Sequence, residues 1–246
     1  MINKKIINLV LDNLKTLIGA LIIAILIRSL IIQPFYIPSS SMEPTLLVGD
    51  RIFVSKYNYG YSKHSFPFSP NFSNNRFLSK KPNQGDLVVF KTPADNRTDY
   101  IKRLIGLPGD EIQFVMGDLI INGEKIKRQK TKVSEPIRCG SYLLKTKTYI
   151  ETLPNGVKHL VTYNETGSLQ NTKKYIVPNG HYFLMGDNRD CSKDSRFLEE
   201  VGYVKHLNLV GKAKIIFFSN DTLKGSLLKF WNLNNSLRFE RTFQGL

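Results

Sequence analysis

Apolar positions in this 246-residue chain follow two different patterns. Near the N-terminus they run unbroken from Leu17 to Ile27, pause at Arg28-Ser29 and resume at Leu30-Ile31-Ile32. From Thr16 to Ile32 this makes 17 residues, the short edge of a bilayer-spanning helix. Beyond Pro34 the apolar runs are short and are broken by Gly, Pro and Asn-Gly, a pattern that predicts β structure. Asp86–Phe90, Tyr100–Ile105 and Lys214–Phe218 are the clearest strands. Glu111–Val115, Leu119–Ile121 and Glu124–Ile126 read as consecutive hairpins turning at Met116-Gly117-Asp118 and Asn122-Gly123.

Two polar segments interrupt this pattern. Residues 61–84, rich in Ser, Asn, Pro and Lys, predict an exposed loop or ribbon. Residues 127–178 are polar and basic with scattered β-formers and predict an inserted subdomain. The expected fold class is mainly β: an N-terminal transmembrane helix in residues 1–33, then an antiparallel core split between 34–112 and 179–246. Hairpins and the inserted β-rich subdomain fill 113–178. No internal repeat is visible.

The apolar run has three readings. A cleavable leader needs a small-x-small site after its core, and Arg28-Ser29-Leu30-Ile31-Ile32-Gln33-Pro34 offers none. A helix apolar on every face fits the core of a small soluble domain poorly. An uncleaved anchor remains, with Arg28 able to snorkel to the headgroups. Lys4, Lys5 and Lys15 favour an N-terminus inside, which puts the chain from about residue 34 outside the cytoplasm.

The net charge of +15 is spread along the chain with no dense block. No zinc-ligand spacing or aromatic RNA-binding signature accompanies it, so a membrane-facing or generally basic surface is expected and no nucleic-acid partner. Cys139 and Cys191 can equally be bridged or free.

Three clusters could carry chemistry. Pro38 and Pro44 bracket Ser39-Ser40-Ser41-Met42-Glu43, which keeps Ser41 out of a helix interior. A nucleophile there would need a base within reach, with Ser41 N–H and the Ser39 hydroxyl as oxyanion donors. Taken alone, such a turn is an ordinary loop. Lys102 follows on a predicted strand, sharing a face with Tyr100 and Leu104 while Ile101 and Arg103 share the other. Desolvation there would lower its pKa toward 8; the plainer reading is a solvated Lys-Arg pair. The third cluster is Gly186-Asp187-Asn188-Arg189-Asp190-Cys191-Ser192-Lys193-Asp194-Ser195-Arg196. It lacks calcium-loop spacing. Asp194 and Arg196, two apart, suit an ion pair on one strand face, and Ser192 could orient an amine. His64, His159, His181 and His206 suggest no triad, and no metal cluster appears.

Together these segments resemble the bacterial type I signal peptidases. An anchor is followed in order by Pro38–Thr45, Gly85–Phe90, Tyr100–Asp110 and Gly186–Arg196, four collinear motifs of that family. The resemblance implies Ser41 as nucleophile, Lys102 as general base, Ser39 as oxyanion donor and Ser192 as the hydroxyl positioning the lysine. Asp194 and Arg196 would be structural support. Phe35, Ile37, Met42, Leu46, Tyr100 and Ile101 would line shallow pockets for small residues at −1 and −3 of secretory preproteins. Cys191 departs from the family, which usually has Asn there. The resemblance further implies the bacterial inner membrane, a periplasmic catalytic domain, membrane lipid and the export machinery as surroundings, and no cofactor.

Three rival readings remain. A self-cleaving repressor or a conjugation peptidase would share a Ser-Lys dyad, but a repressor needs a helix-turn-helix in place of the anchor, and none is visible. A specialised peptidase with one substrate would share the motifs. A membrane-anchored basic scaffold would carry Ser41 incidentally.

Overall fold

The computed structural model describes residues 4–71, 73–131, 136–221 and 236–246. Helix α1 spans Lys4–Leu30 and so extends twelve residues ahead of Thr16, where the counted apolar stretch begins. Residues Ile7–Leu30 form a 24-residue stretch of mean hydropathy 2.1 with none of its apolar window buried. Its acid–base pair among the described side chains, Asp12 with Lys15 at 3.2 Å, is largely exposed and contributes little. Arg28 in the last turn complements the helix dipole. Pro34 follows on strand β1 (Ile32–Tyr36), which pairs only with β2 (Asp50–Ser55) at the sheet edge, where a missing N–H costs no ladder bond.

The chain continues through β3 (Leu87–Lys91) and β4 (Asp99–Gly106). Next come β5 (Glu111–Val115), β6 (Asp118–Ile121) and β7 (Glu124–Lys125). The two hairpin turns hold Met116-Gly117 and Asn122-Gly123 at positive φ (50° and 79°, 53° and 82°), as type I′ geometry requires. Among the described residues, six strands follow in the insertion: β8 (Lys127–Lys130), β9 (Ile137–Cys139), β10 (Tyr142–Leu144), β11 (Thr146–Thr152), β12 (Lys158–Asn164) and β13 (Tyr175–Ile176). The chain then returns as β14 (His181–Met185), β15 (Val204–Lys205), β16 (Leu209–Ser219) and β17 (Gln244–Gly245).

Among the described residues, one antiparallel sheet runs in the order β1-β2-β16-β3-β4-β14-β15, with β17 also on β16. It is assembled from both ends of the sequence. Segments between β4 and β14 form three smaller sheets: β13-β5-β6-β7, β12-β11-β8 and β10-β9. The fold is therefore mainly β with one N-terminal apolar helix.

Side-chain alternation explains the layering. On β3, Leu87 and Val89 join one apolar cluster with Ile37, Met42, Leu46 and Ile52, while Val88 and Phe90 join another with Tyr59, Leu104 and Tyr182. A strand covered on both faces must be apolar throughout, which is why Leu87–Phe90 reads as an unbroken run. A third cluster packs Ile105, Phe183 and Met185 of the main sheet against Ile112, Phe114, Val161 and Tyr163, joining the insertion to the core. Residues 61–84 are mostly irregular, with a bridge between Tyr61 and Phe77 and one short turn of helix at Lys63–Ser65.

Candidate active site

Ser41 sits in a single helical turn, Ser40–Met42, between β1 and β2. Ser39 at its N-terminus is extended (φ −132°, ψ 155°) and caps nothing with its hydroxyl, which lies 3.4 Å from Ser41 Oγ. Met42 anchors the turn in the apolar cluster below. Asn188 holds it from the other side: its N–H donates to Ser41 O (3.1 Å) and its Nδ2 to Ser40 O (3.2 Å).

β4 delivers Lys102 to this turn. Its Nζ lies 2.6 Å from Ser41 Oγ, and the two side chains belong to residues only 4% and 8% exposed. The ring of Tyr100, two positions back on the same face, is 5.5 Å from Nζ. Ile101 on the other face packs into the Met42 cluster, as the alternation predicts.

The electrostatics decide the state of this lysine. Burial lowers its pKa from 10.5 to about 8, opposed by Asp194 and Asp187 and reinforced by Arg196. Both carboxylates are already taken. Arg103 Nε and Nη2 donate to the two oxygens of Asp187 at 2.8 and 2.7 Å, and Thr45 Oγ1 adds a third bond at 2.6 Å. Arg196 does the same to Asp194 at 2.8 Å on each oxygen, with Gly186 N–H at 3.0 Å. Burial alone would raise these two carboxyls, yet their arginines hold both below the usual range. Neither is a free counter-ion for Lys102, so desolvation prevails.

The expected Asp194–Arg196 pair is thus present, but in a loop and not on a strand. Arg103 is not solvated: it is buried under the site, clamped to Asp187 and Gly85 O. Removing one partner of a buried pair leaves an uncompensated charge. Arg103→Met is expected to destabilise the protein by about 3–5 kcal/mol, read as a lowered denaturant midpoint. Asp187 has a depressed folded pKa, so the pair's contribution is complete above the ordinary carboxyl pKa of 3.8 and is lost as pH falls through the lower folded value. Without Arg103 burial raises the Asp187 carboxyl, so the gap between parent and variant should begin to close above pH 3.8, as the variant's carboxyl protonates, and finish closing below it as the parent's does.

Ser192 does not meet Lys102. Its Oγ is buried, makes no hydrogen bond to Nζ, and lies against Gly186 and Asp194. Any Cβ at Gly186 would collide with Ser192 Oγ and with Ser41 O, so only glycine lets the two loops approach.

A cavity of about 420 Å³ opens beside the Ser41–Lys102 contact. Phe35, Ile37, Met42, Tyr100 and Ile101 line it together with Ser39, Ser41 and Lys102. Leu46, expected with them, is fully buried behind the cavity wall in the Met42 cluster. No histidine lines this cavity.

Cys139 and Cys191 form a disulfide between β9 and the loop bearing Ser192, and Cys191 lines the cavity with its sulfur 3.4 Å from Ser40 Oγ. The insertion grips this loop elsewhere too. Arg189 makes a bidentate pair with the buried Glu151 of β11, to which Tyr163 also donates at 2.8 Å. Backbone bonds join Thr162 N to Asp187 O and Arg189 N to Thr162 O, both 2.9 Å. Asp187, Asn188 and Arg189 belong to the Gly186–Arg196 motif, in which sequence alone gives them no role. Glu151, a lone acid in a polar stretch, carried no signal.

The arrangement offers a hydroxyl, a buried amine held partly neutral near pH 8, candidate oxyanion donors and an adjoining apolar cleft. These are the parts of a serine hydrolase that dispenses with histidine. Residues 10–218 match the family model described as signal peptidase, peptidase S26. A signal peptidase I from Rickettsia bellii (strain OSU 85-389) is 39% identical over 251 residues, covering 94% of this chain and 84% of that protein. One from Rickettsia conorii is 43% identical over 246 residues, covering 91% and 88%. A crystal structure of a signal peptidase I from Enterococcus faecalis V583 is 28% identical, covering 54% of this chain and 97% of that one at a TM-score of 0.33, too low to bear on the fold.

Proposed function

Since the chain belongs to the signal peptidase I family of peptidases, hydrolases that remove signal peptides, we propose that it does so with Ser41 as nucleophile and Lys102 as general base. The observation that carries this reading is the buried 2.6 Å contact between their side chains at the edge of an apolar cleft. The neutral amine takes the Ser41 proton as Oγ attacks the scissile carbonyl carbon. Ser41 N–H and the Ser39 hydroxyl receive the developing oxyanion. Collapse passes the proton from Lys102 to the leaving amine, which departs with the mature protein and leaves the signal peptide acylated on Ser41. Lys102 then deprotonates the water that releases it.

Asp194 and Arg196 act as positioning residues through their mutual pair. Phe35, Ile37, Met42, Tyr100 and Ile101 suit small side chains at −1 and −3 of a preprotein, because the cleft they line is mostly apolar. Residues 34–112 and 179–246 form the catalytic core in this reading, with 113–178 as the attached unit. Ile7–Leu30 crosses the bacterial inner membrane with its N-terminus inside, confining enzyme, lipid, export machinery and preprotein to one surface and raising effective concentration.

The test is to incubate the full-length protein in detergent with a preprotein bearing an Ala-x-Ala site and to sequence the N-terminus of the product. Cleavage directly after that site supports the reading. An intact preprotein, beside a known peptidase active in the same detergent, overturns it.

A further inference from the structure

A second cavity, of about 380 Å³, lies where α1 leaves the apolar segment. Arg28 of the last helical turn lines it, together with Lys91, Arg97 and His64. Its single carboxylate, Asp99, is taken by Lys91 at 2.9 Å, and Lys91 also donates to Arg97 O at 2.7 Å. The guanidinium groups of Arg28 and Arg97 have no ion pair or side-chain hydrogen bond among the described residues. His64 is only 4% exposed; its Nδ1 meets Ser69 Oγ at 3.0 Å, while its Nε2 has no partner.

Two unpaired arginines and Lys91 around one cavity, whose single carboxylate is already paired, suit an anion with acceptor oxygens. Location specifies which anion. The cavity adjoins the end of the apolar helix, and Tyr61 donates to Leu30 O at 2.9 Å to fix that junction. Phe66, Pro67 and Phe68 form part of the wall, and the Phe68 ring is fully exposed (102%) on backbone held at φ 63°, a conformation a bulky residue seldom adopts. An apolar rim over a cationic pocket fits an amphiphile, with the phosphate inside and acyl chains along α1.

We propose that this cavity binds the headgroup phosphate of an anionic phospholipid. The inference rests on the reading that Ile7–Leu30 crosses a membrane. Phe35 and Asp99 line both this cavity and the one beside Ser41, so a bound headgroup would sit next to the substrate cleft.

Native mass spectrometry of the full-length protein in detergent, titrated separately with phosphatidylglycerol, phosphatidylcholine and inorganic phosphate, tests this. The parent should retain one phosphatidylglycerol in preference to phosphatidylcholine and to phosphate. Removing two cations in Arg28→Gln/Arg97→Gln should weaken that binding about thirtyfold. The charge-matched pair Lys127→Gln/Lys173→Gln, on exposed residues of the insertion, should leave it unchanged. Equal retention of both lipids, equal loss in both double variants, or phosphate binding as tightly as the lipid would each overturn the proposal. Alkaline extraction of membranes containing the parent separates the two claims. A chain released by alkali sinks the membrane reading, whereas one that stays embedded without lipid discrimination sinks only the headgroup site.

Discussion

Ser41→Ala is expected to abolish preprotein cleavage, with a loss of about a millionfold in turnover, because a nucleophile that acts as a unit with its base leaves little behind when removed. The protein should remain folded. The only hydrogen bond found for Lys102 Nζ among the described residues is the one to Ser41 Oγ, so the variant leaves one buried amine unpaired at a cost of about 1–3 kcal/mol. A folded, membrane-associated and inactive protein, assayed by the N-terminal sequence of its products and by thermal melting, separates the peptidase from a scaffold whose serine is incidental. Undiminished cleavage by Ser41→Ala would remove Ser41 from the mechanism.

Lys102→Met is expected to lose activity on the same scale while folding at least as stably at neutral pH. The methionine keeps the apolar stem in its slot but can neither accept the Ser41 proton nor carry a buried charge. In the parent, kcat/KM should rise about tenfold per pH unit below pH 8 and level off above it, since only the neutral amine is a base and its pKa lies at about 8. The stability effect runs with its own sign. The folded pKa lies below the ordinary 10.5, so between about 8 and 10.5 the unfolded chain binds the extra proton. The burden of the buried amine is therefore greatest below pH 8, about 3 kcal/mol at about 1.4 kcal/mol per unit, and fades as pH rises to 10.5. Urea titrations of parent and Lys102→Met should converge across that window. In Arg196→Met the Asp194 carboxylate becomes a free counter-ion for Lys102, so the inflection of the rate profile should move to higher pH. A parent profile flat between pH 6 and 9 would contradict the assigned base.

Much of this was legible in the chain before any coordinates. The alternation on Asp99–Gly106 correctly assigned Tyr100 and Leu104 to one face and Ile101 to the other, because a strand allows nothing else. Asn122-Gly123 announced its hairpin through the positive φ it must adopt. Leu46 shows the limit: an apolar residue near a cleft can line it or support it from behind, and periodicity does not distinguish these. Arg103 shows it again, since beside Lys102 it looked like half of a solvated pair and proved to be buried against a carboxylate 84 positions away. Ser192 was placed in the right loop, but a hydroxyl's partner depends on a rotamer set by its neighbours. The apolar run understates the helix, because Asp12 and Lys15, one turn apart, interrupt apolar character without breaking a helix.

The sequence by itself determined the local elements and the family: strand periods, turn residues, the apolar helix, and motifs containing Ser41, Lys102 and Asp194–Arg196. These follow from covalent geometry and from short-range patterns of burial, which each stretch of chain carries within itself. Only the tertiary structure decided that Ser41 and Lys102 touch, that Arg103 and Arg196 occupy the two carboxylates nearest the lysine, and that the insertion ties Cys139 and Glu151 to the loop beside the site. Those are contacts between distant positions, and they fix the protonation of Lys102. A pKa depends on burial and on which charges are already paired, quantities that exist only once the sheets have packed.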